Sequence, residues 1–531
     1  MIIRKKLPRA LGLNEPLRHP DHKRPVTRRD FIGQGFLTGT ASVVMPSLFA
    51  ALMNPNSAQA LTQVQMDLDP TNLCKITLGA GKIPFICFDL SGGANLAGSN
   101  VLVGQAGGQL DVLSTAGYSK LGLPGTMLPN SSGTTTFIDT SYGLAFHSDS
   151  AILRGMKMTA TTAGAKTQGA VIPAVSQNDT GNNPHNPMYG IAKAGANGQL
   201  LTLIGSQNTD SGGNSMSPAS LMDPTIRPTK VDRPSDARGL VDTGDLGTMF
   251  GNSPVDTVHV MESMERISKL KLNATNTKLA TAGDDTALKQ QVDCAYVRSA
   301  YMAENFSSPD VLDPTKDTSI ASIFSTVGGI SADSEFGKTA AVMKLVVGGF
   351  AGAGTIQMGG FDYHTGDRAT GEARDFRAGV CIGACLEFAA RAGKPIMIYV
   401  FSDGSLNSNG MIDNSVGGRG KGVWTGDNQS TAASFFLVFD PAARPTPIVI
   451  PTLGGGVQLG RFRATGDVET TSSPGANSVT ALVDMVLLNY MALHGEQGNF
   501  ATAFPNSVLN SQISAWTAFG QLPSVVNGRI T

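Results

Sequence analysis

The chain has 531 residues, of which only 15% are charged, against roughly 25% in an average soluble domain. Hydrophobic residues make up 41% and glycine contributes 63 residues, which excludes a disordered chain and a collagen and leaves material for a large core. The formal net charge of −1 speaks against nucleic-acid binding, because phosphate contacts need a basic surface.

That near-zero charge averages three unlike regions. Residues 1–30 hold nine basic residues and three acids, residues 31–60 hold no charged residue, and the remainder carries a net −7. Thr27-Arg28-Arg29-Asp30-Phe31-Ile32 resembles a twin-arginine signal. The apolar region Phe31 to Met53 follows, diluted by Gly33, Gly35 and Gly39 and broken by Pro46. A spanning helix wants about 20 strongly apolar residues, and this region is too polar to be one. Ala58-Gln59-Ala60 supplies a small-residue cleavage site. The expectation is a signal peptide over residues 1–60 and a mature chain from Leu61. It would be exported folded by the twin-arginine translocase to the periplasm or secreted. No later stretch is long and apolar enough to span a bilayer.

Five cysteines, an odd and sparse set, do not make a disulfide scaffold. Cys381 and Cys385 are four apart on one face of a helical pattern, where buried apolar packing is favoured over a metal or redox pair. No iron–sulfur spacing, haem-attachment motif or Gly-x-Gly-x-x-Gly after a strand points to a redox enzyme.

In the mature chain, continuous apolar runs predict buried strands at Ile83–Asp89, Leu200–Gly205, Thr355–Met358, Pro395–Phe401 and Ser434–Phe439. Helical patterns lie at Val255–Leu272, Leu288–Phe306, Phe336–Val347, Phe376–Ala392 and Ser478–His494. Asp375 is the expected N-cap of the fourth and Gly393 its stop. The alternation predicts an α/β fold with a mainly parallel central sheet. Residues 254–350 are mostly helical and are expected to form an inserted cap. Gly205–Ser253 reads as a long functional or surface loop.

Ligands of an open α/β sheet bind beyond the carboxyl ends of its strands, so the residues after each strand carry the chemistry. Asp89-Leu90-Ser91-Gly92-Gly93 follows the first. Gly359-Gly360-Phe361-Asp362-Tyr363-His364 follows the third, with Asp362 and His364 two apart in a glycine-opened turn. Ser402-Asp403-Gly404 follows the fourth. His147, expected at a helix start, and His185, in a polar Asn-Pro cluster, are further candidates. His259 and His494 fall on helices and are expected to pack or face solvent.

The signal, the Asp89 glycine turn and the Gly-Gly-Phe-Asp-Tyr-His segment together resemble a twin-arginine-exported family of unknown function in the alkaline phosphatase and sulfatase superfamily. The resemblance covers roughly Ile83 to Gly460. It implies an alkaline-phosphatase-like core over residues 61–531, with helices on both faces of the sheet. It also implies metal ligands at Asp89, Asp362, His364 and Asp403. The chain departs from the superfamily in two places. Gly404 stands where a His would follow Asp403, and Trp424–Gln429, which offers Asp427 and Asn428, lacks a further ligand His. Near the expected nucleophile only Thr180 carries a hydroxyl, with His185 beside it.

Two functions follow. One is a metal-dependent hydrolase of phosphate or sulfate esters, with Thr180 and His185 as catalytic candidates and Ca²⁺, Mg²⁺ or Zn²⁺ as cofactor. The oxygen-rich ligand set favours Ca²⁺ or Mg²⁺. The other is a non-catalytic periplasmic binding or assembly protein that retains the fold and meets an envelope protein partner.

Overall fold

The computed structural model describes residue 74 and residues 79–130, 136–176, 183–242, 254–278, 281–306, 308–448 and 456–531. The signal expected over residues 1–60, and Thr180, lie outside the described residues.

In chain order the principal strands are β1 (Phe85–Leu90), β2 (Thr167–Pro173), β3 (Leu201–Gly205), β4 (Thr229–Lys230), β5 (Ala351–Met358), β6 (Ile396–Phe401), β7 (Leu406–Asp413), β8 (Lys421–Asp427), β9 (Ala433–Phe439) and β10 (Val457–Gln458). Eight of them form one sheet in the order β10-β2-β9-β6-β1-β5-β3-β4. Every pairing is parallel except those of β9, which runs against β2 and β6. The expected mainly parallel sheet is present, with one reversed strand inside it. Strands β7 and β8 form a separate antiparallel hairpin.

The apolar runs are continuous because both faces of the sheet are covered. On β1, Ile86, Phe88 and Leu90 enter one core and Phe85 and Cys87 the other. β6 divides likewise, with Ile396, Ile398 and Val400 on one side and Met397, Tyr399 and Phe401 on the other. The principal helices are α1 (Ala151–Thr159), α2 (Met188–Lys193), α3 (Pro254–Asn273), α4 (Ala282–Asn305), α5 (Ser334–Gly348), α6 (Ala369–Arg391) and α7 (Val479–Leu493). Helices α1, α5 and α6 feed the first core, and α2 and α7 the second. Helix α7 is apolar nearly all round and buried nearly all round, as a helix sealed under further chain must be. Its Ser478 N-cap accepts from the Ala481 amide.

Three local expectations change. Helix α6 begins at Ala369 rather than after Asp375. The weakly apolar first turns are held by Asp367, which accepts from the Thr370 amide at 2.9 Å, and by a buried Arg368–Glu372 pair. Asp375 therefore lies inside the helix, fully buried, and Gly393 ends the helix with φ of 64°. His147 sits in a short strand, Phe146–His147, and Ser150 caps the helix that follows. Its ring is buried with Nε2 2.9 Å from the Met127 carbonyl oxygen.

The helical stretch 254–350 divides in two. Helix α5 lies on the sheet and supplies Ala340, Ala341, Val342 and Leu345 to the first core. Helices α3 and α4 pair as a hairpin with a small core of their own, Val258, Met261, Tyr296, Ala300 and Ala303. A disulfide joins Cys74 to Cys294 on α4. Cys381 and Cys385 are free and fully buried in the first core. Among the described residues no helix is long and apolar enough to cross a membrane.

Candidate functional site

The carboxyl ends of β6, β1 and β5 lie side by side. Asp89 is in register with Phe401 on one neighbour and Gln357 on the other. The topology thus brings Asp89, Asp403 and the 359–364 turn to one edge of the sheet. Within that edge the sequence-predicted residues separate into two groups.

The first group is a sealed acid pair. Asp89 and Asp403 are both fully buried. Asp89 Oδ2 accepts the backbone amides of Asn214 and Ser215 at 2.7 and 2.8 Å. Its Oδ1 accepts the hydroxyls of Ser215 and Ser91 at 3.2 and 3.3 Å. Asp403 Oδ1 accepts the Gly92 amide at 2.7 Å, and Oδ2 accepts the Asn214 side-chain amide at 3.0 Å. Asn214 therefore bridges the two carboxyl groups. Burial pushes both acids up, against the pull of these donors, and Asp403 reaches about 7 with the neighbouring Asp89 adding to the rise.

Two glycines make this closure sterically feasible. A Cβ at Gly213 would lie 2.6 Å from Asp89 Oδ2, so only glycine lets the 211–217 loop approach the acid. A Cβ at Gly92, where φ is 120°, would lie 2.5 Å from the Asp362 nitrogen. Gly92 thus packs against the 359–364 turn while its amide serves Asp403.

The second group is open. Asp362, His364 and Asp427 each place one ligand atom within 4.8 Å of the others, a set with the composition to hold a metal ion. His364 Nε2 is 2.7 Å from Asp362 Oδ1 and 3.6 Å from Asp427 Oδ1. About half of the Asp362 and Asp427 side-chain surface is exposed, at 53% and 54%. Asp427 ends β8, and the hairpin is braced against the turn. The Gly366 amide donates to the Trp424 carbonyl and the Trp424 amide to the Asp367 carbonyl, at 3.2 and 3.3 Å. The Arg368 guanidinium lies over the Trp424 ring, 4.4 Å from its centroid.

Behind the turn, Tyr363 donates to Asp375 at 2.8 Å and Asn100 donates to its other oxygen at 2.7 Å. Burial pushes Asp375 up to about 7.

The histidines have distinct fates. His185 is buried and stacked on Phe401 with ring centroids 5.8 Å apart. Among the described residues neither of its ring nitrogens has a hydrogen-bond partner, and burial lowers its pKa to about 3. It is neutral and buried behind the strand end and makes no bond to the acids. His259 is exposed on α3. His494 is buried and its Nε2 accepts the Ile83 amide at 2.9 Å, a packing role as expected.

Sequence reasoning did not single out Asn214, Ser215, Arg368 or Tyr363. The signals were present but indirect: a Ser-Gly-Gly-Asn-Ser run inside the long 205–253 loop, and one of only two tryptophans in the chain, Trp424. No protein-family model matches the chain, and no curated protein matches it.

Proposed function

We propose that the chain is an exported relative of the alkaline phosphatase and sulfatase superfamily that binds one divalent cation at Asp362, His364 and Asp427 and serves a non-catalytic binding or assembly role. One observation carries the proposal: both oxygens of Asp89 and of Asp403 are occupied by donors of the chain itself. Two-metal hydrolysis needs ligands enough to hold ions about 3.5–4 Å apart. With Asp89 and Asp403 committed, the open trio supplies ligands for one ion. The imidazole suits Zn²⁺, while the two carboxylates and the room for water also admit Ca²⁺ or Mg²⁺. The cation would present positive charge at the sheet edge to an anionic group of an envelope partner.

Export through the twin-arginine translocase rests on the leader. The Cys74–Cys294 disulfide supports it, since such bonds persist in oxidising compartments.

A second reading, hydrolysis of phosphate or sulfate esters, draws on Asp403. An acid near 7 can give and take a proton at neutral pH, and Thr180 or water would be the nucleophile.

The test is calorimetric titration of the purified protein with Ca²⁺, Mg²⁺ and Zn²⁺, paired with turnover of generic phosphate and sulfate esters. One ion per chain, lost in an Asp362→Ala, His364→Ala variant, with no turnover, is the expected result. Turnover above that variant establishes the hydrolase and overturns the non-catalytic role. Absence of any bound ion overturns the cation site.

A further inference from the structure

A cavity of about 220 Å³ opens beside β10, the outer strand of the sheet, four places from β1 in the strand order. Trp516, Arg461, Ser472, Gln458 and Gly460 line it, with small residues at 106, 108 and 515. Trp516 is partly buried and packs against the second core. An indole that meets the core and also borders a cavity offers a flat apolar surface to a ligand. Gln458 is the cavity's fixed polar member: its Oε1 accepts the Gly104 amide and its Nε2 donates to the Gly104 carbonyl, both at 2.9 Å.

The charges around the cavity leave one cation over. Both acids of the 461–473 loop are taken, Glu469 by Arg463 in a bidentate pair at 2.9 and 3.1 Å and Asp467 by Lys120. Arg461 is exposed, and among the described residues its guanidinium has neither an ion pair nor a hydrogen bond. Its backbone is nonetheless fixed, because its amide donates to Ser472 Oγ at 3.0 Å and its carbonyl accepts the Glu469 amide at 3.0 Å. Behind Ser472, the hydroxyl of Ser473 is buried and has no partner among the described residues. A Cβ on Gly460, where φ is 111°, would lie 3.2 Å from the Oγ of both serines. With glycine at this lining position, no side chain screens the two hydroxyls.

The geometry points to a binding site for one carboxylated pyranose, a uronate residue of an acidic polysaccharide. The apolar face of the ring rests on the Trp516 indole. The carboxylate pairs with Arg461, whose planar fork matches its two oxygens. The ring hydroxyls meet the serine hydroxyls and the bare backbone at Gly460. The volume lies below the roughly 300–1,000 Å³ of drug-sized sites, so it admits one ring and excludes a nucleotide or a peptide segment. A neutral sugar would leave Arg461 without a counter-charge, and a simple carboxylate would leave the indole and the serines uncovered. The site shares no residue with the cation site and does not depend on it.

Tryptophan emission reads this site, because Trp424, the chain's only other tryptophan, is fully buried and does not line the cavity. The purified protein is titrated with the disaccharides of galacturonate, glucuronate and mannuronate, with their methyl esters, and with acetate. All titrations contain EDTA, so that an ion at Asp362, His364 and Asp427 cannot hold the carboxylate. The expected result is a saturable change in emission with at least one acid disaccharide, binding of its methyl ester at least about tenfold weaker, and no change with acetate. Arg461→Gln should weaken the acid to the level of the ester at an unchanged melting temperature, since the side chain is exposed and unpaired. Trp516→Leu, followed by calorimetry, should lose the binding. Equal affinity for acid and ester, or binding unaffected by Arg461→Gln, overturns the uronate. Saturation by acetate makes the cavity an anion site and overturns the sugar. No emission change and no heat with any of the three acids overturns the cavity as a ligand site.

Discussion

Asp89 lies at the end of β1 and Asp362 follows its parallel neighbour β5, and sequence alone gives them the same standing. Their surroundings differ in kind. Asp89 is fully buried and receives four hydrogen bonds from its own chain. Asp362 is about half exposed and shares its oxygen with a histidine. A carboxylate whose lone pairs are filled by buried amides is part of the scaffold. One that meets a second carboxylate and an imidazole in the open has capacity left for a ligand. The 211–217 loop makes the difference, because it brings two amides and the Ser215 hydroxyl to Asp89 and leaves Asp362 without such donors.

The comparison breaks most visibly at Asp89. Asp89→Ala strips the acceptor from the buried Ser215 amide and from three further donors. Loss of charge-assisted bonds in a buried site costs about 3 kcal/mol, read as a lower urea midpoint. Cation affinity at a permissive temperature should be unchanged if Asp89 is scaffold, and a lost ion would make it a ligand after all.

Asp375 tests how far the buried polar network behind the turn depends on pH. Its folded-state pKa of about 7 stands above an ordinary value of about 3.9. Between those two values the folded state binds the extra proton. Asp375's contribution to stability is therefore greatest below about pH 4, falls by up to about 1.4 kcal/mol per pH unit, and levels off above about pH 7. Urea unfolding across this range should show the slope, and Asp375→Asn should reduce it, leaving the part that Asp403 contributes over the same range.

His364→Ala is the mildest change for the fold, within about 0.5 kcal/mol as for a surface position. It should nonetheless abolish cation binding in calorimetry. Retained binding would sink the distinction between the two regions.

Much of the architecture was legible because burial on two faces writes itself as unbroken apolar runs. Five strands were found that way, among them β1, β6 and β9. Strand β2 was missed although every residue of it is buried, because Thr167-Gln168-Gly169 and Pro173 interrupt the run. Helix α6 was read late by about two turns for a similar reason. Its start is fixed by Asp367 and the Arg368–Glu372 pair rather than by apolar spacing. Of the candidate site, Asp362 and His364 could be paired from their spacing, since two residues in one turn are neighbours whatever the fold.

The sequence by itself determined five of the sheet's strands, its covered faces and the acids at the carboxyl ends of β1 and β6 and after β5. Each depends on local periodicity or on the rule that strand ends gather ligands. Only the tertiary structure decided which acids remain open. That choice rests on Asn214 and Ser215 reaching Asp89 from 125 and 126 residues away, and on β8 delivering Asp427 to His364. Contacts at such separation leave no periodic trace in the chain, because they are set by how loops close over the finished sheet.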